Sequence, residues 1–353
     1  MDSAVPTGGW DVALVAFGAP AREAWLLAEA LAGLGHRVRL YSSGEAEEAC
    51  RGVEHAVFRG ALDAGFAQWC AAEWAVRRPE VVHTLSPVAR AAIDPVLGTR
   101  PTPLVHTWRS HEGTRLWPAD RFVVGGQAEA AELVSKGVAR SAAQVVGDGV
   151  DPRTWTVHGP SAPRTGRARL VHRTALRPGD GVDTAIAALP WVSDAELLVL
   201  RDGDPERPDS PRELRRLLDG ASALGVADRV HVVEAEGLEH VASVLRSADI
   251  ALHTPWSPGS AQPVVQAMAC GVPTIASEVG SLPEIVLPGI TGDLVPPRDP
   301  KALGKVVRRL LGQKARLTAY SEAALDRVQL RHGWDQVATE TARVYRQVIS
   351  ARK

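Results

Sequence analysis

Apolar positions along the chain fall into short runs separated by stretches of helical spacing. Residues 11–17 (Asp-Val-Ala-Leu-Val-Ala-Phe) form an almost continuous apolar run of strand length, the pattern of a strand covered on both faces. Gly18-Ala19-Pro20 interrupts it, and residues 21–34 then set Leu26, Leu27, Ala30 and Leu31 close to one helical face. Gly35 ends that helix, and residues 36–42 alternate as a second strand. Strand, helix and strand in this order define a βαβ unit, whose right-handed crossover builds parallel sheet. Val81-Val82-His83-Thr84 and Leu104-Val105-His106-Thr107 repeat one pattern, two apolar residues followed by His-Thr. Each reads as a strand tip opening into a loop. A further short strand is predicted over 121–125 and a helix over 128–136.

The style of the chain changes over residues 146–167. Gly147-Asp-Gly-Val-Asp-Pro152 is turn chemistry, and Gly159-Pro-Ser-Ala-Pro-Arg-Thr-Gly166 has the composition of a linker. Alternation then resumes, with strands predicted at 168–172, 195–200, 230–234, 250–253 and 274–277. Helices are predicted over 183–189, 211–218, 238–247 and 262–270. From Thr318 the pattern is helical and polar. The expected fold class is α/β, with two Rossmann-like doubly wound domains. Residues 1–160 form the first and 161–330 the second, and a C-terminal helix over 331–353 crosses back to the first. Two such domains facing each other would set a cleft between the carboxyl ends of two parallel sheets, where sheets of this kind bind ligands. The fold alone selects no activity, because binding proteins and epimerases also use two such lobes.

Composition narrows the picture little and excludes more. The 353 residues, 45% hydrophobic and 23% charged, suit about two domains and rule out wholesale disorder, collagen and disulfide-scaffold classes. Lys+Arg is 40 against Asp+Glu 41, so the whole-molecule charge offers nothing to nucleic acid. The basic set is skewed, with five lysines (Lys136, Lys301, Lys305, Lys314, Lys353) beside thirty-five arginines. From Lys301 to Lys353 there are twelve basic and four acidic residues. That stretch could make weak peripheral contact with an anionic membrane surface, solvated helix faces being the alternative. Three dispersed cysteines (Cys50, Cys70, Cys270) without a CxxC predict neither a disulfide framework nor a zinc cluster, and fit a reducing cytoplasm. The first residues lack a basic region followed by an apolar core, so no signal peptide is expected, and no apolar run reaches the roughly 18 residues of a membrane span.

The most specific stretch runs from Gln262 to Val286 and continues over 289–300. Ser257-Pro-Gly-Ser260 leads into a helix whose first amides, around Ser260, Ala261 and Gln262, form a candidate anion site, a plain capped helix being the alternative. Gly271 stops that helix. Ala267-Met-Ala-Cys-Gly-Val-Pro273 and Leu282-Pro-Glu-Ile-Val286 closely resemble the C-terminal signature of the family 4 glycosyltransferases, whose usual form is near E-P-F-G-x-x-x-x-E-A-M-A-C-G-x-P. Gly35-His-Arg-Val38 resembles the family's "GHxV" second strand, Gly147-Asp-Gly-Val-Asp151 its "pNGVD" hinge and Trp334 its C-terminal Trp, so the resemblance spans most of the chain.

The resemblance implies a GT-B architecture and a retaining, metal-independent transfer of sugar from a nucleotide-diphosphate donor. The donor would be held by the second domain, with protein donors and a helix N-terminus stabilising the departing diphosphate. It implies no cofactor and no metal ligand. The acceptor, a small molecule, glycan or lipid-linked sugar, would sit against the first domain. Carried over residue by residue, the phosphate-contacting Arg falls on Arg173. The partner Lys falls on Asp180, which would repel a diphosphate, and Arg177 could swing in to replace it. The Glu that holds the nucleotide ribose becomes Gln266, exchanging a charge-assisted bond for a neutral one. The Glu that contacts the transferred sugar would lie at Ser257 or Pro258 and is absent. Arg109 stands where the family often carries a His, which leaves His83, His106 and His111 as candidates for the acceptor pocket. Gly18 occupies the glycine-rich first turn. With these departures, a catalytically silent homologue that partners or regulates a glycosyltransferase is the alternative to an active enzyme.

Overall fold

The computed structural model describes residues 9–17, 21–43, 52–62, 64–99, 102–109, 115–202 and 210–352. The chain divides into two compact units, residues 1–149 with 334–353, and residues 150–333. The change of unit thus falls at Gly149/Val150, ahead of the linker-like stretch that had suggested residue 160.

Unit 1 is built on strands β1 (Asp11–Val15), β2 (Arg37–Ser42), β3 (Val53–Val57), β4 (Val81–Thr84), β5 (Leu104–Thr107), β6 (Arg121–Val124) and β7 (Ala143–Val145). Among the described residues they form one sheet in the order β3-β2-β1-β4-β5-β6-β7, with every pairing parallel. The order reverses between β1 and β4, where Val15 pairs with Thr84. Helices α1 (Ala21–Gly33), α2 (Ala64–Val76), α3 (Pro87–Thr99) and α4 (Gln127–Ser135) make the crossovers. β3, α2 and α3 were not anticipated, for identifiable reasons. β3 is a half-buried edge strand of mixed polarity. α2 is apolar on nearly every side and so shows no stripe. α3 carries Pro95 in its interior, ordinarily a breaker.

Unit 2 contains β8 (Ala168–Thr174), α5 (Val182–Ala188), β9 (Ala195–Arg201), α6 (Ser210–Ala223), β10 (Val230–Glu234), α7 (Leu238–Arg246), β11 (Ile250–His253), α8 (Gln262–Ala269), β12 (Thr274–Ser277), α9 (Leu282–Ile285), β13 (Gly292–Val295), α10 (Pro300–Leu311) and α11 (Lys314–Arg331). Its sheet is also all parallel, in the order β10-β9-β8-β11-β12-β13. Strand residues alternate between two cores, as a period of two requires. Val171, Leu198 and Leu200 pack with Val241, Val264 and Met268 on one face, while Leu170, Leu197 and Val199 pack with Ile186, Leu303 and Val307 on the other.

The last helix, α12 (Trp334–Ser350), belongs to unit 1. Val337, Ala338, Val344, Tyr345 and Val348 are buried in one core with Leu14, Leu27, Leu31 and Val105. Its polar appearance in sequence conceals this single apolar stripe. Two motif residues meet there: a Cβ on Gly149 would stand 2.6 Å from the Trp334 ring, so this position takes glycine for close approach.

Candidate functional site

In unit 2 the strand order reverses between β8 and β11, which makes their carboxyl ends the topological switch point. Arg173 lies at the end of β8. Its Nε donates to Asp202 Oδ2 at 2.6 Å, its Nη2 donates to the same oxygen, and its Nη1 donates to Gln266 Oε1. A guanidinium has five N–H groups, so among the described residues one on each terminal nitrogen is left without a partner. Gln266 in turn donates to Gln262 Oε1 at 3.3 Å, one turn back along α8, and the Arg173 guanidinium lies 5.7 Å from the centre of the Trp155 ring. Arg173, Gln266 and Gln262 are therefore brought together as one hydrogen-bonded group at the start of α8.

The amides of α8 are less free than its sequence suggested. The Gln262 N–H points to Ser260 Oγ at 3.3 Å, Pro263 has no N–H, and the Val264 and Val265 amides return to the Ala261 carbonyl. Ala261 itself is buried in the core, and Ser260 is exposed. What remains for an anion here is the dipole of that turn together with the Arg173 fork.

Asp180 is folded into its own loop. Its Oδ2 accepts from the Thr174 hydroxyl at 2.8 Å and from the Arg177 amide at 3.0 Å, and its own amide donates to the Arg177 carbonyl. The loop closes at Gly181, whose φ of 86° lies in the left-handed region and whose Cβ would fall 1.7 Å from the Thr254 carbonyl oxygen. Thr254 Oγ1 donates to the Gly181 carbonyl at 2.9 Å, and the Trp256 amide donates to Gly179. Arg177 is exposed, and among the described residues its guanidinium makes no hydrogen bond or ion pair.

Three polar residues at this edge escaped the sequence reading. Asp202 follows β9, and its amide donates to the Thr174 carbonyl at 2.8 Å, which keeps it beside the end of β8. His253 ends β11, and His172 precedes Arg173; their rings are 6.5 Å apart and, among the described residues, each has a buried Nδ1 without a hydrogen-bond partner. Burial pushes His172 down to about 3, with His253 adding to it. Burial likewise pushes His253 down to about 4, opposed by Asp180 and helped by Arg173, so both are neutral near pH 7. The available signal was positional, since all three stand at or beside the tips of adjacent parallel strands.

In unit 1, His83 is buried with both nitrogens engaged, Nδ1 at 2.7 Å from the Tyr345 hydroxyl and Nε2 at 2.9 Å from Thr107 Oγ1. Burial, reinforced by His106 and Arg109, pushes it down to about 3. It ties β4 to β5 and to α12, a brace with no nitrogen left for chemistry. His106 differs. Its Nδ1 faces the Thr84 hydroxyl at 2.8 Å and the Thr84 carbonyl at 3.3 Å, while that hydroxyl points to the Val105 carbonyl. This pattern puts the proton on Nδ1 and leaves the Nε2 lone pair without a hydrogen bond among the described residues; His106 is buried, and burial holds the ring down at about 4.

Arg109 donates to Asp148 Oδ1 at 2.6 Å and to the Trp108 carbonyl at 3.2 Å, with Glu129 Oε2 3.9 Å away. Two departures from the family pattern thus meet, the Arg in place of His and the Asp in place of the hinge Asn. Gly18 and His111 lie outside the described residues. The free thiols of Cys70 and Cys270 are buried and pushed up to about 12 and 11 by that burial. Among the described residues, no group of three or more His, Cys, Asp or Glu side chains is placed to hold a metal ion, and no helix is long and apolar enough to cross a membrane.

Two successive doubly wound parallel sheets, the second with Arg173 and the start of α8 at its switch point, define a two-domain α/β protein of the GT-B class. The whole chain resembles a sucrose-phosphate synthase from Thermosynechococcus elongatus, with a TM-score of 0.80 over 96% of this chain and 99% of that one at 22% identity. It also resembles Anabaena HepE solved with UDP and glucose, with a TM-score of 0.76 over 96% and 100% at 15% identity. Residues 21–154 match the family described as glycosyltransferase family 4, and residues 167–313 match the glycosyl transferases group 1 description. The chain is 33% identical over 307 residues to a D-inositol 3-phosphate glycosyltransferase from Xylanimonas cellulosilytica, covering 82% of this chain and 70% of that protein. The chain belongs to glycosyltransferase family 4, and it is a glycosyltransferase.

Proposed function

We propose that unit 2 holds a nucleotide-diphosphate sugar at its switch point and that the sugar is transferred, with retention of configuration, to an acceptor bound on unit 1. The observation that carries this reading is the convergence of Arg173 and Gln266 before the first turn of α8. Arg173 offers its guanidinium to the diphosphate, and the first turn of α8 adds amide dipoles where charge grows as the diphosphate leaves. Gln266 faces the nucleotide ribose, accepting from one hydroxyl with the oxygen that now accepts from Arg173. This electrostatic set asks for no metal ion and no further cofactor.

On unit 1 the group fitted to meet an acceptor hydroxyl is His106, through Nε2. The relative named above is a D-inositol 3-phosphate glycosyltransferase, so phosphorylated polyols head the acceptors to be tried, ahead of glycans and lipid-linked sugars. Isothermal calorimetry against a panel of nucleotide-diphosphate sugars, followed by product analysis with the donor that binds, tests the reading. Saturable binding that Arg173→Ala weakens is expected. Binding to none of the panel sinks it.

A further inference from the structure

The carboxylate on Arg173 comes from neither signature motif. Asp202 follows β9 and occupies the Nε–Nη2 edge of the guanidinium, the edge at which a phosphate would be gripped in bidentate fashion. Both bonds end on Oδ2. The Asp202 side chain is 35% exposed and that of Arg173 16%, so this pair stands at the mouth of the site rather than beneath it. Gln266 takes a third N–H. The net charge of the Arg173–Asp202 pair is zero, and an incoming diphosphate meets a carboxylate where it needs a cation.

We propose that Asp202 is the residue that sets donor affinity in this site. With no donor bound, its carboxylate holds the Arg173 fork. The donor's diphosphate, or the nucleoside diphosphate product, binds by taking those N–H groups over from it. Asp202 is an internal competitor for the phosphate, which weakens the hold on the donor and speeds departure of the product. The inference rests on the donor reading above and goes beyond it by assigning a specificity-determining residue that none of the motifs contains. Asp180 does not play this part: among the described residues it makes no hydrogen bond or ion pair with Arg173, and its Oδ2 accepts from Thr174 and from the Arg177 amide.

The test is calorimetry of the full chain with UDP, GDP and ADP as probes, for the unmodified protein, Asp202→Asn, Asp202→Ser, Arg173→Gln and the Arg173→Gln/Asp202→Asn double variant. Removing the carboxylate should lower the dissociation constant of the preferred nucleoside diphosphate about tenfold, the scale of one partly screened like charge at close range. Asp202→Ser, which removes the carboxylate and shortens the side chain, should show the same direction. Competition for the guanidinium requires that the gain disappear when Arg173 is already Gln, so the double-variant cycle should show strong coupling. An equal gain in both backgrounds reduces Asp202 to a repulsive surface charge. Unchanged or weaker binding in both single Asp202 variants means that Asp202 positions Arg173 for the phosphate. Either result overturns the competitor while leaving the donor reading intact. Failure of every protein, variants included, to bind any of the three probes removes the donor reading, and the competitor with it.

Discussion

The two sheets end in the same way, with their strand order reversing between two parallel strands, yet the polar groups at the two reversals are in opposite states. At the unit 1 reversal His83 is closed: both ring nitrogens are bonded, and the ring is buried between β5 and α12. At the unit 2 reversal, among the described residues, Arg173 has two N–H groups to spare and the buried Nδ1 atoms of His172 and His253 have no hydrogen-bond partner. Buried polar groups are ordinarily satisfied, so the contrast separates a brace from a binding edge. Position at a strand tip nominates a residue, and what it leaves unbonded decides whether a ligand can use it.

The largest expected effect breaks the comparison on its unit 2 side. Arg173→Ala removes the cation and strands Gln266 and Asp202. A fall of about 100-fold or more in kcat/KM is expected, the scale for loss of one preorganised donor to a developing oxyanion. A fall below about fivefold would show that the switch-point edge of unit 2 is structural after all.

Acidification probes both edges together. His83 and His172, one in each unit, have folded values near 3, well below the unperturbed value of 6.5. The unfolded chain therefore binds protons that the folded chain refuses, and stability rises with pH. The contribution is complete above about pH 6.5 and falls as pH drops towards 3, by about 2 kcal/mol per histidine at pH 5. Asp11, held down to about 2 by Arg37 and Arg77, loses its contribution only in the more acid window between 3.8 and 2. Urea midpoints at pH 7 and pH 5 measure the histidine effect. If saturating donor raises the pH 5 midpoint without altering how far it lies below that at pH 7, His172 is not linked to the donor edge.

A smaller effect isolates the unit 1 brace. Tyr345→Phe leaves the buried His83 Nδ1 without its partner and should cost about 1–3 kcal/mol in denaturant unfolding, with donor affinity unchanged. A loss of donor affinity of the same size would erase the distinction between the two edges.

Legibility in the sequence followed the range of the interactions. Continuous apolar runs such as β8, β9 and β11 were readable because burial on both faces is a local pattern, and Arg173 and Gln266 were readable because they sit in motifs of fixed spacing. Pro95 hid α3, and the near-uniform apolarity of α2 hid its period. What stayed invisible depends on which strands lie side by side. Asp202 meets Arg173 only because β9 pairs with β8, and the brace joins His83 to Tyr345 across 262 positions of chain. Arg109 looked like an isolated departure from a motif; its carboxylate partner, Asp148, lies 39 positions on in the hinge, and only the fold brings the two to 2.6 Å.

The smallest effect belongs to Arg177. Loss of the family's Lys suggested that Arg177 replaces it, and its exposed guanidinium is free of ion pairs among the described residues. Its backbone, however, is fixed by Asp180, which accepts from its amide and donates to its carbonyl. The loop therefore holds its shape when the side chain is removed, and Arg177→Ala changes charge alone. An exposed cation is screened by water and salt, so donor affinity should fall by only about two- to threefold at low ionic strength. That difference should vanish near 0.5 M salt, where the screening length is roughly 4 Å. A tenfold loss that persists in high salt would mean that the guanidinium closes onto the diphosphate, and Arg177 would then join Arg173 as a direct ligand of the donor.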